Sequence, residues 1–162
     1  MIKTYKDLVE RVSKFKIDQN IDLSSGEDLS IGIMNLISIE EHLFYTSQKT
    51  KNPKYLALLN EVRLMRTDLM KGIVKEPEGE VWCISKHLLA SSMRLMEVGT
   101  KELKKGDKTK AERLFEKSYK LYSLFWGLNL SDNPKIPNSP EDKSVFSKLN
   151  DIVQKAIDCC RE

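Results

Sequence analysis

Apolar residues recur at three- and four-residue steps through most of this chain. That is the spacing of helices that bury one side and wet the other. Tyr5, Leu8, Val9, Val12 and Phe15 mark a helix over Thr4–Phe15. A connector with Asp18, Asn20 and Ser24-Ser25-Gly26 follows. The pattern resumes over about Glu27–Thr50, with Leu29, Ile33, Leu36, Ile37, Leu43 and Phe44 on one face. Asn52-Pro53 then reads as a cap with proline in the first turn. The helix it opens runs to about Lys75, with Tyr55, Leu59, Val62, Leu69 and Ile73 as its stripe and Leu58, Met65 and Met70 beside it.

Past Glu76-Pro77-Glu78-Gly79, two long helical patterns fill Glu80–Asn129. Gly106 and Asp107 between them read as helix stop and N-cap. The first of the two is apolar over much of its circumference. Val81, Leu88, Leu95, Met96 and Leu103 share a face with Ser85, Ser92 and Gly99, and Cys83 and Ala90 lie opposite. A helix of this kind is expected to be central and touched from more than one side. The row of small residues lets a neighbour approach closely, and Cys83 is expected to pack as a small apolar residue. The second helix carries a clean stripe of Ala111, Phe115, Ser118, Tyr122, Phe125 and Trp126.

Leu95, Val98, Gly99, Gly106-Asp107, Ala111 and Phe115 stand at the spacing of one tetratricopeptide repeat, so Ser92–Phe125 resembles a single helix–turn–helix unit of that family. Leu95 replaces the usual aromatic residue, Ser118 replaces the second-helix alanine, and no proline follows the second helix. No second copy follows at that period, and arrays need about three repeats to be stable. The resemblance therefore implies a repeat-like hairpin within a bundle, not a solenoid.

The expected fold is all-α: a five- to six-helix antiparallel bundle with a tetratricopeptide-like hairpin. It forms one domain over 1–162, with 1–129 as the bundle core and 130–139 as a Pro-rich linker. A C-terminal helix over 140–160 follows, docked on the bundle or swapped onto a neighbour. Ser139-Pro140-Glu141-Asp142 opens that helix with a cap and first-turn acids, and Val145, Leu149, Ile152, Val153, Ala156 and Cys159-Cys160 form its stripe.

Composition narrows the class. A length of 162 residues suits one full-sized core, and 40% apolar with 31% charged residues fits a globular protein. No apolar run approaches the ~20 residues of a membrane span. The N-terminal segment lacks the apolar centre of a signal peptide. Three cysteines without paired spacing make no disulfide framework, so a cytoplasmic location is expected. A net charge of +3 does not by itself call for nucleic acid.

The chemistry on offer is sparse. Glu40 and Arg66 each fall in the middle of an otherwise apolar face. An antiparallel hairpin brings them to similar heights, which predicts a buried or half-buried pair. An alternative reading makes Arg66, Arg63 and Glu40 a pocket for a small anionic ligand, bordered by Ser85 and Ser92. Lys86, His87, Arg94 and Glu97 cluster on one side of the central helix as a polar patch. Neighbours along the chain, Glu41 and His42 diverge by about 100° and form no site alone. Glu-x-x-His repeats of di-metal bundles are absent from the sequence, and no metal or cofactor is expected. Lys101–Lys120 is locally basic and is followed by Tyr122, but no nucleic-acid reader accompanies it, nor the Arg-then-His motif of HEPN-type RNases. Three functions are therefore weighed. Protein–protein interaction or self-association, as in a homodimer, comes first. Anionic-ligand binding or catalysis around Glu40, Arg63 and Arg66 is second, and RNA binding or processing is third.

Overall fold

The computed structural model describes residues 24–75 and 79–130. These form four helices: α1 (Ser24–Thr50), α2 (Lys54–Met70), α3 (Glu80–Lys104) and α4 (Lys108–Leu130). The all-α class holds, with four helices among the described residues in place of the expected five or six. The helices expected over Thr4–Phe15 and 140–160, and the linker after Leu130, lie outside the described residues. Leu130 itself, expected in the linker, closes α4.

The helices pair as two antiparallel hairpins, α1–α2 and α3–α4, with α1 also touching α3 over a shorter stretch. Each turn is built from local chemistry. After α1, Lys51 takes a left-handed φ of 56°, and its N–H reaches back to the Ser47 carbonyl at 2.8 Å. Asn52 Oδ1 then accepts the Lys54 N–H at 3.0 Å, which satisfies an otherwise orphaned donor at the start of α2. Between α3 and α4, Gly106 takes φ 89° and Asp107 Oδ1 accepts the Lys110 N–H at 3.0 Å. Stop and cap lie where the sequence placed them.

The end of α2 differs from expectation. The helix stops at Met70, short of Lys75, in a run of tight turns: Gly72 N–H to Leu69 O and Ile73 N–H to Met70 O, each at 3.1 Å. These turns lower Val74 into the core, and Gly72 lies so near Leu29 that an added Cβ would come within 3.3 Å of Leu29 Cδ2.

The main core gathers Ile33 and Met34 of α1, Met70 and Val74, Val81, Leu88 and Leu89 of α3, and Phe125, Trp126 and Leu128 of α4. Full burial of one such side chain contributes roughly 1.5–3 kcal/mol. The rings of Phe125 and Trp126 meet edge to face at 5.0 Å. These residues come from the first halves of α1 and α3, the end of α2 and the end of α4, so the core lies toward one end of the molecule. Gly26 of α1 lies against Trp126 there. Beside it the hydroxyls of Ser30 and Tyr122 are 2.6 Å apart.

As expected, α3 is flanked by α4 and α1, and its small residues face α4. Ser92 and Ser118 bond reciprocally: Ser92 Oγ to Ser118 O at 2.9 Å, and Ser118 Oγ to Ser92 O at 2.7 Å. Ser85 Oγ accepts from Asn129 Nδ2 at 2.9 Å. Met96 and Leu103, expected on the same face as Ser85, Ser92 and Gly99, are exposed, and Cys83 on the opposite side of α3, expected to be packed, is exposed as well. On α2, Met70 is fully buried while Leu69, assigned to the stripe, is exposed. Phe44 of α1, also expected on a buried face, is 46% exposed, since α2 and α3 do not close over it.

Candidate functional site

Arg66 projects from α2 into the α1–α2 interface and is 3% exposed. Its Nε donates to Glu40 Oε1 at 2.8 Å and its Nη2 to Glu40 Oε2 at 3.2 Å. This two-pronged geometry matches the planar guanidinium to the carboxylate. Nη1 turns to Thr67 Oγ1 at 3.3 Å and to the Met70 sulfur at 3.8 Å. The pair that the helix faces predicted is thus formed, and the guanidinium is committed within the protein.

Arg63, one turn earlier, is exposed. Ser85 and Ser92 are buried between α3 and α4 and bonded to Asn129 and Ser118. Of the residues assigned to an anionic-ligand pocket, Glu40 and Arg66 therefore lie in one helix interface, Ser85 and Ser92 in another, and Arg63 on the surface. Neither of the two open depressions described next is lined by any of them.

Those depressions lie between α1 and α3, where the two hairpins part. One, of about 530 Å³, is lined by Ile37, Ser38 and Glu41 of α1 and by Ala90, Ser91, Arg94 and Leu95 of α3. The other, of about 540 Å³, shares Ser38, Glu41 and Arg94 and continues along His42, Tyr45, Thr46, Lys49 and Glu97. Together they make one open groove. Its floor is apolar where Ile37, Ala90 and Leu95 meet, and its far end is rimmed by charges of both signs.

Arg94 stands at the middle of the groove. Its Nη1 donates to Glu97 Oε2 at 2.7 Å, one turn on along α3. Its Nη2 donates to Glu41 of α1. The Arg94–Glu97 half of the expected polar patch is therefore assembled. His87 is exposed and Lys86 half-buried, and neither lines the groove. Helical spacing pointed to Glu97 as a partner of Arg94. It carried no information on Glu41, which belongs to the other hairpin. His42, expected to form no site alone with Glu41, and Tyr45, which the sequence pattern did not single out, are exposed residues that extend the groove.

Two other titratable groups are tied into the fold. Glu102, at the end of α3, accepts from Lys105 Nζ at 2.8 Å and is 3.1 Å from Lys110 Nζ. The hydrogen bonds from Lys105 and then Lys110 hold its carboxyl below the ordinary glutamate value, against a smaller opposing effect of burial. Two lysines of the basic turn are thereby occupied. Burial pushes the Tyr122 phenol above its ordinary value, opposed by its hydrogen bond with Ser30.

Among the described residues, no group of three or more His, Cys, Asp or Glu side chains is placed to hold a metal ion. No helix among them is long and apolar enough to cross a membrane. Comparison with protein-family models, curated proteins and solved structures finds no match for this chain, so its groove has to be read from its own geometry.

Proposed function

We propose that this chain is a protein-interaction module that seats a partner, or a second copy of itself, in the groove between α1 and α3. One observation carries the reading. The hairpins part to leave Ile37, Ala90 and Leu95 at the bottom of an open trough, rimmed by Glu41, Arg94, Glu97 and Lys49. An apolar centre with a polar, mixed-charge rim is the anatomy of a protein interface, and a trough between helices suits an amphipathic helix laid along it. Carboxylates on the rim work against a phosphate backbone. The repeat-like spacing over Ser92–Phe125 points the same way.

Photo-cross-linking tests this reading. A photoreactive residue is placed at Ser91, on the edge of the groove, and at Lys117, an exposed position on α4. Expected is a discrete cross-linked product from the Ser91 position in source cells, lost on Leu95→Glu and absent from the Lys117 position. A product of twice the chain mass identifies a second copy, and any other discrete mass identifies a different protein. Equal, diffuse labelling from both positions overturns the proposal.

A further inference from the structure

A second open apolar surface lies on the other side of the α1–α2 hairpin. On α2, Leu58, Val62, Met65 and Leu69 recur at alternating four- and three-residue steps and share one face. Leu58 and Met65 are 52% and 57% exposed. On α1, Leu36, Ile39 and Leu43 repeat the same steps. At 100° per residue they fall on the flank opposite Ile37, Ser38 and Glu41, which border the groove. The α2 row likewise lies on the flank away from Met70, which turns into the core. Helix geometry puts the two rows on the same side of the hairpin, as the walls of one shallow channel, with Ile39, Leu58, Met65 and Leu69 exposed and Leu36, Leu43 and Val62 half-buried.

We infer that this channel is the seat of the chain's own C-terminal segment, Ser139–Cys160. Three observations converge on it. First, the segment repeats the channel's spacing: Val145, Leu149, Ile152, Ala156 and Cys159 stand four, three, four and three residues apart. As a helix, that stripe is about 21 Å long, against about 17 Å from Leu58 to Leu69.

Second, the segment starts from the right place. α4 ends beside the start of α1, where Trp126 meets Gly26. Ser131–Ser139 spans up to about 30 Å when extended. That is enough to carry the chain around to the back of α1 and run the segment parallel to α1 and antiparallel to α2.

Third, the charges agree. Glu61 and Asp68, seven apart, are exposed on the outer flank of the α2 row, and Asp68 also meets Lys71. Lys148 and Lys155, seven apart, lie on one flank of the C-terminal stripe. With the segment parallel to α1, handedness turns that flank toward α2, which puts Lys148 at the level of Asp68 and Lys155 at the level of Glu61. The same register sets Leu149 by Leu69, Ile152 by Met65 and Cys159 by Leu58. The groove between α1 and α3 plays no part in this arrangement, so the inference stands or falls separately from the proposed function.

Thiol accessibility in the full-length chain tests it. In a background with Cys83, Cys159 and Cys160 changed to serine, Met65→Cys supplies the only thiol. Its labelling is expected to be slowed by about tenfold or more relative to the same chain carrying Leu149→Asp and Ile152→Asp, since a docked helix must open before reagent enters. Fast labelling in both chains overturns the inference. In a second variant that keeps Cys159, with Cys83→Ser, Cys160→Ser and Leu58→Cys, mild oxidation is expected to join the introduced thiol to Cys159 within one chain. A link between two chains at low concentration shows that a second copy supplies the segment, and overturns the assignment to the same chain.

Discussion

Arg66 holds Glu40 through two near-parallel hydrogen bonds of 2.8 and 3.2 Å across the α1–α2 interface. The Arg66 side chain is 3% exposed and that of Glu40 14%, so little water can replace either partner. Removing one partner of such a pair costs roughly 3–5 kcal/mol, because the other is left buried and uncompensated. Glu40→Ala and Arg66→Ala are each expected to lose stability on that scale in urea denaturation. The double change Glu40→Leu with Arg66→Met is expected to be more stable than either single variant. Additive losses in the cycle would show that the two side chains do not act as a unit.

Gly99 faces the ring of Phe115 across α3 and α4. A Cβ added there would stand 2.5 Å from Phe115 Cε1, well inside contact distance. Overpacking of this kind costs about 1–3 kcal/mol, while alanine in place of a mid-helix glycine returns up to about 1 kcal/mol. Gly99→Ala is expected to lower the melting temperature, and Phe115→Leu in the same chain to recover part of the loss. A rise in Tm on Gly99→Ala alone would refute the close approach.

Lys51 holds a left-handed backbone, φ 56°, at the α1–α2 turn. An L-residue with a Cβ is penalised in this region by roughly 1–2 kcal/mol, and glycine is not. The side chain is exposed, so little packing is lost with it. Lys51→Gly is expected to stabilise the protein by up to about 1 kcal/mol, read as a higher denaturation midpoint with an unchanged slope.

Glu102 gives the α3–α4 turn a pH dependence. Its folded-state value is lowered by Lys105 and Lys110. Its contribution is therefore present above the unfolded-state value and lost as pH falls through the lowered, folded-state value. Glu102→Gln is expected to reduce Tm near pH 7, and the gap from the parent chain is expected to close toward about pH 3, below the ordinary carboxylate range. A gap that stays constant across that range would mean the carboxylate charge plays no part.

Helical periodicity revealed contacts within each hairpin and missed those between hairpins. Glu40 and Arg66 were legible because each interrupts an apolar row and the short turn at Asn52 sets their heights. Ser85, Ser92 and Gly99 were legible because small residues in one row admit only a close neighbour. The buried face of α2 was not. Leu56, Leu58, Leu59, Leu64, Met65, Leu69 and Met70 ring almost the whole helix, so several apolar rows compete and spacing alone does not say which one is buried. Glu41 was missed as a partner of Arg94 for a related reason. Its place depends on how closely α1 approaches α3, which no local spacing encodes. The groove itself arises from divergence between helices and leaves no mark in the sequence.

The gathering of Phe125, Trp126, Met70, Val81 and Ile33 toward one end has a dynamic consequence. Amide protons near that end should be the last to exchange with deuterated solvent, and those of α1 and α2 flanking the Lys51 turn the first, because less apolar surface must be uncovered to release them. Among the described residues, the helices are expected to be held most firmly at the core end and least around the Lys51 turn, so a guest entering from that turn would tighten the part with the most freedom to lose.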